Sequence, residues 1–282
     1  MTQQREAFIE VLFEAAKKDP RIIFLSADFG SPSLDVWRKE LPAQFVHCGI
    51  SEQNMINVAV GLALAGKRPF VFAMSPFFLR AYEQLKMAAM HQVPITVISV
   101  GAGLSYAGSG PTHYATEDIA CYRTLVGAQL YTCSTVNQAK LVAKASLVTH
   151  GMLIARLERG ELPELYPEMD VIHGYVALQQ TNDAAPAIAC GYLVHWLKNK
   201  GWNVIDLYRI KPISPQLTAF LGQFPYVHTF EEQYAAGGMG AAVMEALADA
   251  GKKTLVIRKT LPDRPIYENG TRDELLKAAW SL

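Results

Sequence analysis

The chain lacks most of what would place it outside the ordinary globular classes. Neither charge is in excess, since 26 Lys and Arg balance 26 Asp and Glu over 282 residues. Without a basic surplus there is no case for a nucleic-acid partner, and no block of like charge reads as an interaction tail. No window reaches the ~18 uncharged apolar residues that a helical membrane span needs, which argues against a membrane partner. The opening residues, Met1-Thr2-Gln3-Gln4-Arg5-Glu6, lack the apolar core of a secretory signal. Cysteine is scarce: Cys48, Cys121, Cys133 and Cys190 show no Cys-x-x-Cys spacing. Each sits in or beside an apolar run, so buried free thiols in a reducing cytoplasm are expected. Internal repeats and low-complexity tracts are absent as well.

What is present is a large apolar fraction, 50% of the residues, enough for one large or two ordinary domains. Short apolar, β-branched runs predict strands at Ile22–Ala27, Phe70–Met74, Ile95–Val100 and Met152–Arg156. A second set is predicted at Ala187–Gly191, Val204–Tyr208, Val227–Glu231 and Leu255–Arg258. Helical patterns lie between them, at Gln53–Ala65, Phe78–His91, Thr135–Thr149, Tyr192–Lys200 and Met239–Ala250. Strands apolar at nearly every position suit a parallel sheet covered on both faces. Their alternation with helices predicts an α/β fold of two domains, each a mostly parallel sheet flanked by helices. The Pro-containing, polar stretch 161–185 reads as the connection.

The most informative segment is Gly49-Ile50-Ser51-Glu52-Gln53-Asn54-Met55, which follows a strand-like Phe45-Val46-His47-Cys48. It puts one carboxylate at the mouth of a helix that is apolar on all sides and so is expected to be buried in a core or an interface. An acid in such a low-dielectric place is suited to carrying a proton. The plainer reading is an acid placed in a first helical turn by the helix dipole.

Further motifs follow in order: Gly61-Leu62-Ala63, Arg80-Ala81-Tyr82-Glu83-Gln84, Gly110-Pro111-Thr112-His113, Glu117-Asp118, Arg156-Leu157-Glu158-Arg159-Gly160, Glu231-Glu232-Gln233 and Gly237-Gly238-Met239-Gly240. As an ordered set spanning nearly the whole chain, they resemble the C-terminal half of transketolases and the matching part of deoxyxylulose-phosphate synthases. Transketolases use thiamine diphosphate and have three α/β domains. The first binds the diphosphate and a divalent metal through Gly-Asp-Gly, the second binds the aminopyrimidine ring, and the third is a smaller C-terminal domain. Gly-Asp-Gly occurs nowhere here. The resemblance therefore implies a pyrimidine-binding domain over 1–165, a linker over 166–183 and a C-terminal domain over 184–282. It implies a split enzyme whose N-terminal subunit supplies Gly-Asp-Gly, shares the thiamine diphosphate and holds Mg2+ or Ca2+, in an α2β2 heterotetramer.

The resemblance assigns roles residue by residue. Glu52 would hydrogen-bond the aminopyrimidine. Met74, Phe77 and Arg80 would surround that ring, with Phe77 stacking on it. Phe72 and Phe78 read as core, and Arg80 could instead pair with Glu83. Asp28, after the first strand, would lie near the cofactor, or else cap a turn. His113 would polarise or exchange protons with the donor's reacting oxygens, or simply donate to backbone. Arg159 would grip a sugar phosphate, with Ser33 and Arg5 as looser phosphate contacts that could equally be surface residues. The Gly237–Gly240 turn resembles a phosphate cradle, but close strand–helix packing explains those glycines better.

Two positions depart from the family. Gly101 stands where transketolases usually carry histidine, and Ser109 where they carry aspartate before Gly-Pro. Both family residues contact substrate, so a changed sugar preference is expected. The implied activity is transfer of a two-carbon ketol unit between phosphorylated sugars. Thiamine-dependent 2-oxo acid decarboxylation with acyl or ketol transfer is the alternative on the same scaffold, and a non-catalytic homologue is the third reading.

Overall fold

Strands that are apolar at every residue need cover on both faces, and the fold supplies it. The computed structural model describes residues 3–27, 30–169, 172–178 and 185–280. The chain runs through α1 (Gln4–Ala16), β1 (Ile22–Ser26), α2 (Pro32–Glu40), β2 (Phe45–His47), α3 (Glu52–Leu64), β3 (Arg68–Met74), α4 (Ser75–Phe78), α5 (Tyr82–Met90) and β4 (Thr96–Val100). Then come α6 (Asp118–Arg123), β5 (Gln129–Thr132), α7 (Val136–Ser146), β6 (Leu153–Leu157), β7 (Val176–Ala177), β8 (Ala187–Ala189), α8 (Tyr192–Asn199), β9 (Val204–Asp206) and β10 (Arg209–Lys211). It finishes with α9 (Pro215–Leu221), β11 (Tyr226–Tyr234), α10 (Met239–Asp249), β12 (Leu255–Leu261) and α11 (Arg272–Trp280).

Two sheets form, as the sequence predicts. The first has the order β10-β5-β6-β4-β3-β1-β2 and is parallel except for β10. The second has the order β12-β11-β8-β9-β7 and is parallel except for β7. Side chains alternate across β3: Phe70 and Phe72 face a core shared with α1, α2 and α7, whereas Val71 and Ala73 face α3 and α5. The core on the α3 and α5 side continues into Ile188, Ile205, Leu217 and Leu247, so the two sheets share one apolar interior. Asp206 of β9 strengthens that joint by accepting hydrogen bonds from Ser134 (2.9 Å), Gln138 (2.7 Å) and Tyr166 (2.8 Å).

The structure departs from the sequence expectations in four places. The helix expected over 78–91 is broken: α4 passes through a 3-10 turn, Leu79–Ala81, before α5 begins, and Ala81 leaves helical geometry at φ −100°, ψ 20°. Arg209–Lys211 is not part of the second sheet; it runs antiparallel to β5 at the edge of the first. Helix α3 is not enclosed by a core of this chain, which leaves the interface alternative. It buries Glu52, Met55, Ile56, Ala59 and Ala63 but exposes Asn54, Val58 and Leu64, because a single helical layer has no neighbour on its outer side among the described residues. All four cysteines are unpaired, but only Cys133 is buried; Cys48, Cys121 and Cys190 are half-buried. No helix among the described residues is long and apolar enough to cross a membrane.

Candidate active site

Parallel sheets bind ligands beyond the C-terminal ends of their strands, most often where the chain reverses its direction of travel across the sheet. Here that reversal lies between β1 and β3, since β2 is added on one side of β1 and the later strands on the other. The described candidate residues collect along this rim. Cys48–Ser51 leads from β2 into α3, whose first residue is Glu52. Met74 ends β3, with Phe77 and Arg80 in the turns that follow. The loop from Gly101 to His113 leaves β4, and Arg159 lies just beyond β6. Gln4 pins the start of α1 to the same rim: its Nε2 donates to the Cys133 carbonyl and its Oε1 accepts from the Glu158 N–H, each at 3.0 Å. Asp28 lies outside the described residues.

Four of the candidates form one row through a residue that sequence reasoning missed. The Arg80 guanidinium lies 5.0 Å from the Phe77 ring centre. Phe77 meets His113 edge-to-face at 5.7 Å. His113 lies 6.1 Å from the Tyr106 ring, and Arg159 lies over that ring at 4.5 Å. Tyr106 also feels the Arg5 charge: burial pushes its phenol up, and the Arg159 and Arg5 charges oppose this. The Arg80–Glu83 pair entertained from sequence does not form; among the described residues Arg80 makes no ion pair, and its partner is the aromatic face. Phe72 and Phe78 are fully buried core, whereas Phe77 is half-exposed.

Ser33 and Arg5 converge on Glu6. The Glu6 carboxylate accepts from Ser31 Oγ (2.7 Å), from the Ser33 hydroxyl and its N–H (3.2 Å), and from Arg5 Nε (3.0 Å). Burial works against the charged carboxylate, but the hydroxyls, the Ser33 N–H and the Arg5 charge outweigh it and hold its pKa below the ordinary value. The Ser33 hydroxyl is thus already engaged within the chain.

Glu52 is only 4% exposed. Its carboxylate makes no hydrogen bond or ion pair among the described residues. Its helix packs against α4 and the 3-10 turn that carries Arg80, through Met55, Ile56, Ala59, Phe78 and Ala81. The carboxylate is therefore available to a ligand or a partner chain. Glu52, Met74 and Phe77 thus lie at the ends of successive strands: one acid at the start of α3, one buried thioether at the end of β3 and one half-exposed ring in the turn after it. No group of three or more His, Cys, Asp or Glu that could hold a metal occurs among the described residues.

The Gly237–Gly240 turn holds no room for phosphate, because the protein fills it. Glu231 Oε1 accepts the Gly240 N–H at 3.0 Å, so a carboxylate from β11 already occupies the α10 N-terminus. A Cβ at Gly240 would lie 2.5 Å from that oxygen, and one at Gly237 would lie 2.8 Å from the Ala120 Cβ. These glycines serve close packing. Burial pushes the Glu231 carboxyl up to about 7, against the Gly240 and Met239 N–H groups. The sign follows: the folded chain holds this proton more tightly than the unfolded chain, so from about pH 4.5 to 7 the group costs stability as pH rises. Glu231→Gln is expected to flatten that loss, gaining on the order of 3 kcal/mol relative to the parent between pH 5 and 8. Urea unfolding of both proteins at the two pH values checks this, and a constant difference would refute it.

Comparison with known proteins agrees with this architecture. Residues 1–164 match "Transketolase, pyrimidine binding domain" and residues 194–280 match "Transketolase, C-terminal domain". One subunit of an apulose-4-phosphate transketolase from Phocaeicola vulgatus is 29% identical over 95% of this chain and 90% of that protein. Human transketolase is 28% identical over 97% of this chain but only 46% of its own length. The chain therefore spans about half of the full-length transketolases it matches. Among solved structures, a "Split gene transketolase, inactive beta4 tetramer" superposes with a TM-score of 0.85 at 27% identity, covering 99% of this chain and 94% of that one.

Proposed function

The chain belongs to the transketolase family, and from that premise we propose that it is one half of a two-chain, thiamine diphosphate-dependent enzyme that transfers a two-carbon ketol unit between phosphorylated sugars. The observation that carries this reading is the buried, unpartnered Glu52 at the rim that also holds Met74, Phe77, His113 and Arg159. The partner is a chain bearing Gly-Asp-Gly, which binds the diphosphate and the Mg2+ or Ca2+. The Phocaeicola relative is itself one subunit of a transketolase named for a phosphorylated sugar, which supports both a two-chain arrangement and a sugar phosphate substrate. The exposed Ile50, Val58 and Leu64 give this chain an apolar surface beside Glu52 for such an assembly, as α2β2. Location in the cytoplasm accords with the four unpaired thiols.

When bound, the cofactor supplies a carbanion-stabilising thiazolium. This chain's residues orient and protonate around it. Glu52 would hydrogen-bond a ring nitrogen of the cofactor, and Met74 and Phe77 would provide the apolar walls, with Arg80 on the face of Phe77. His113, half-buried between Phe77 and Tyr106, gives or takes a proton at a donor hydroxyl or carbonyl oxygen. Arg159 and Arg5 hold the phosphate end, Arg159 through its planar donors.

Two measurements test this. The chain alone is expected to bind thiamine diphosphate weakly or not at all by calorimetry, because its sequence has no Gly-Asp-Gly and no metal-holding group occurs among the described residues; tight binding would remove the need for a partner. Reconstituted with a Gly-Asp-Gly chain, it is expected to transfer a ketol unit from a phosphorylated ketose. Turnover of pyruvate but of no ketose would favour the decarboxylating alternative, and activity on neither would favour a non-catalytic homologue.

A further inference from the structure

We propose that Tyr106 is a substrate-contacting specificity residue, whose ring occupies the space that Gly101 leaves open and whose hydroxyl donates to the phosphorylated end of the sugar. The proposal rests on the reading of the site given above and names the residue that sets its selectivity.

Gly101 and Tyr106 exclude each other's alternatives. A Cβ at position 101 would lie 2.5 and 2.6 Å from the Tyr106 Cε2 and Cδ2 atoms, far inside contact distance. The backbone at 101 has φ +95°, where side chains are rarely tolerated. No side chain at 101 could therefore share this place with the Tyr106 ring. The histidine usual at this position is replaced by an aromatic ring delivered from five residues further on.

The surroundings of that ring point to a ligand. Arg159 covers one part of it, His113 stands on another side, and the Arg5 charge reaches the phenol. Tyr106 is 8% exposed, yet its hydroxyl has no hydrogen-bond partner among the described residues. The hydroxyl is therefore free to donate to a ligand. Burial pushes the phenol up, so the group remains a donor at neutral pH. A neutral donor beside the Arg159 guanidinium fits an oxygen-rich anion, and His113 stands between this ring and Phe77.

The test uses the reconstituted two-chain enzyme with Tyr106→Phe and Tyr106→Leu. Steady-state constants are measured for a ketopentose 5-phosphate and for the same ketopentose without phosphate. Tyr106→Phe is expected to raise KM for the phosphorylated donor about tenfold, with kcat and the constants for the unphosphorylated donor little changed. Tyr106→Leu, which also removes the surface under Arg159, is expected to lose more of that preference. An unchanged preference in both variants, or an equal fall in kcat for both donors, would overturn the proposal while leaving the underlying reading intact. A parent enzyme that transfers from no ketose would overturn both, and it would do so before any variant is compared.

Discussion

Glu52→Gln is expected to lower turnover of the reconstituted enzyme by about 10²- to 10⁴-fold, the range that one positioned proton carrier contributes. The substitution keeps the shape and replaces the ionisable carboxyl with a neutral amide that cannot carry the proton. Glu52 forms no contact that the fold needs: its carboxylate has no partner among the described residues. An amide there is therefore expected to leave the melting temperature and assembly with the partner chain near those of the parent. The same isolation predicts weaker cofactor retention, because an amide cannot hold the proton that a ring nitrogen shares. Turnover at the parent level would remove Glu52 from the chemistry. Lost turnover together with lost assembly would instead give it a structural part at the subunit contact.

The strands of the sheet interiors were legible because burial on both faces leaves a plain signature. Ile22–Ser26, Thr96–Val100 and Leu153–Leu157 are buried at every residue and nearly apolar throughout. The strands that escaped notice are short or polar. Gln129–Thr132 is one four-residue strand with polar ends, and Arg209–Lys211 is an edge strand whose two charged residues are half-exposed. An edge strand needs only one apolar position to hold its register, so composition gives no sign of it. Nor could composition show that Arg209–Lys211 crosses back to the first sheet, since pairing with β5 is a long-range contact.

The site divides the same way. Glu52, Arg80, His113 and Arg159 each sit in a contiguous motif, and the rim gathers them because each follows a strand end. Tyr106 carries no motif. Its place depends on an absent side chain at Gly101, and the visible sign was only that a usual histidine was missing. Had the loop been read for what could fill that gap, Tyr106 was the nearest aromatic residue. The links between the two sheets were less legible still: Arg272, Glu158 and Glu232 are separated by long stretches of chain and meet only in the folded state.

Arg272→Met is expected to cost about 3–5 kcal/mol of stability, the usual result of leaving buried charges without their partner. Arg272, at the start of α11, reaches Glu158 beyond β6 (2.7 Å) and Glu232 in β11 (2.6 Å through Nε). It also donates to the Ala102 carbonyl at 3.2 Å and to Ser105 Oγ at 3.3 Å. Burial works against the Glu158 charge, but Arg272 and the Ser105 hydroxyl outweigh it and hold its pKa below the ordinary value. For Glu232 burial prevails over Arg272, and its pKa is raised. Without the guanidinium both acids would resist ionisation in the folded state. The folded variant would then bind more protons than its unfolded chain, so its deficit should be small near pH 5 and grow toward pH 8. Urea unfolding at both pH values measures this, and equal stability of variant and parent at pH 8 would mean that the network contributes nothing net. The loop consequence separates this residue from a simple packing residue. Arg272 holds Ala102 and Ser105, the stretch that delivers Tyr106, so the surviving folded fraction of the variant should show a raised KM for a ketose phosphate. In that way the C-terminal helix, remote from Glu52 in sequence, would set the position of the ring that meets the sugar.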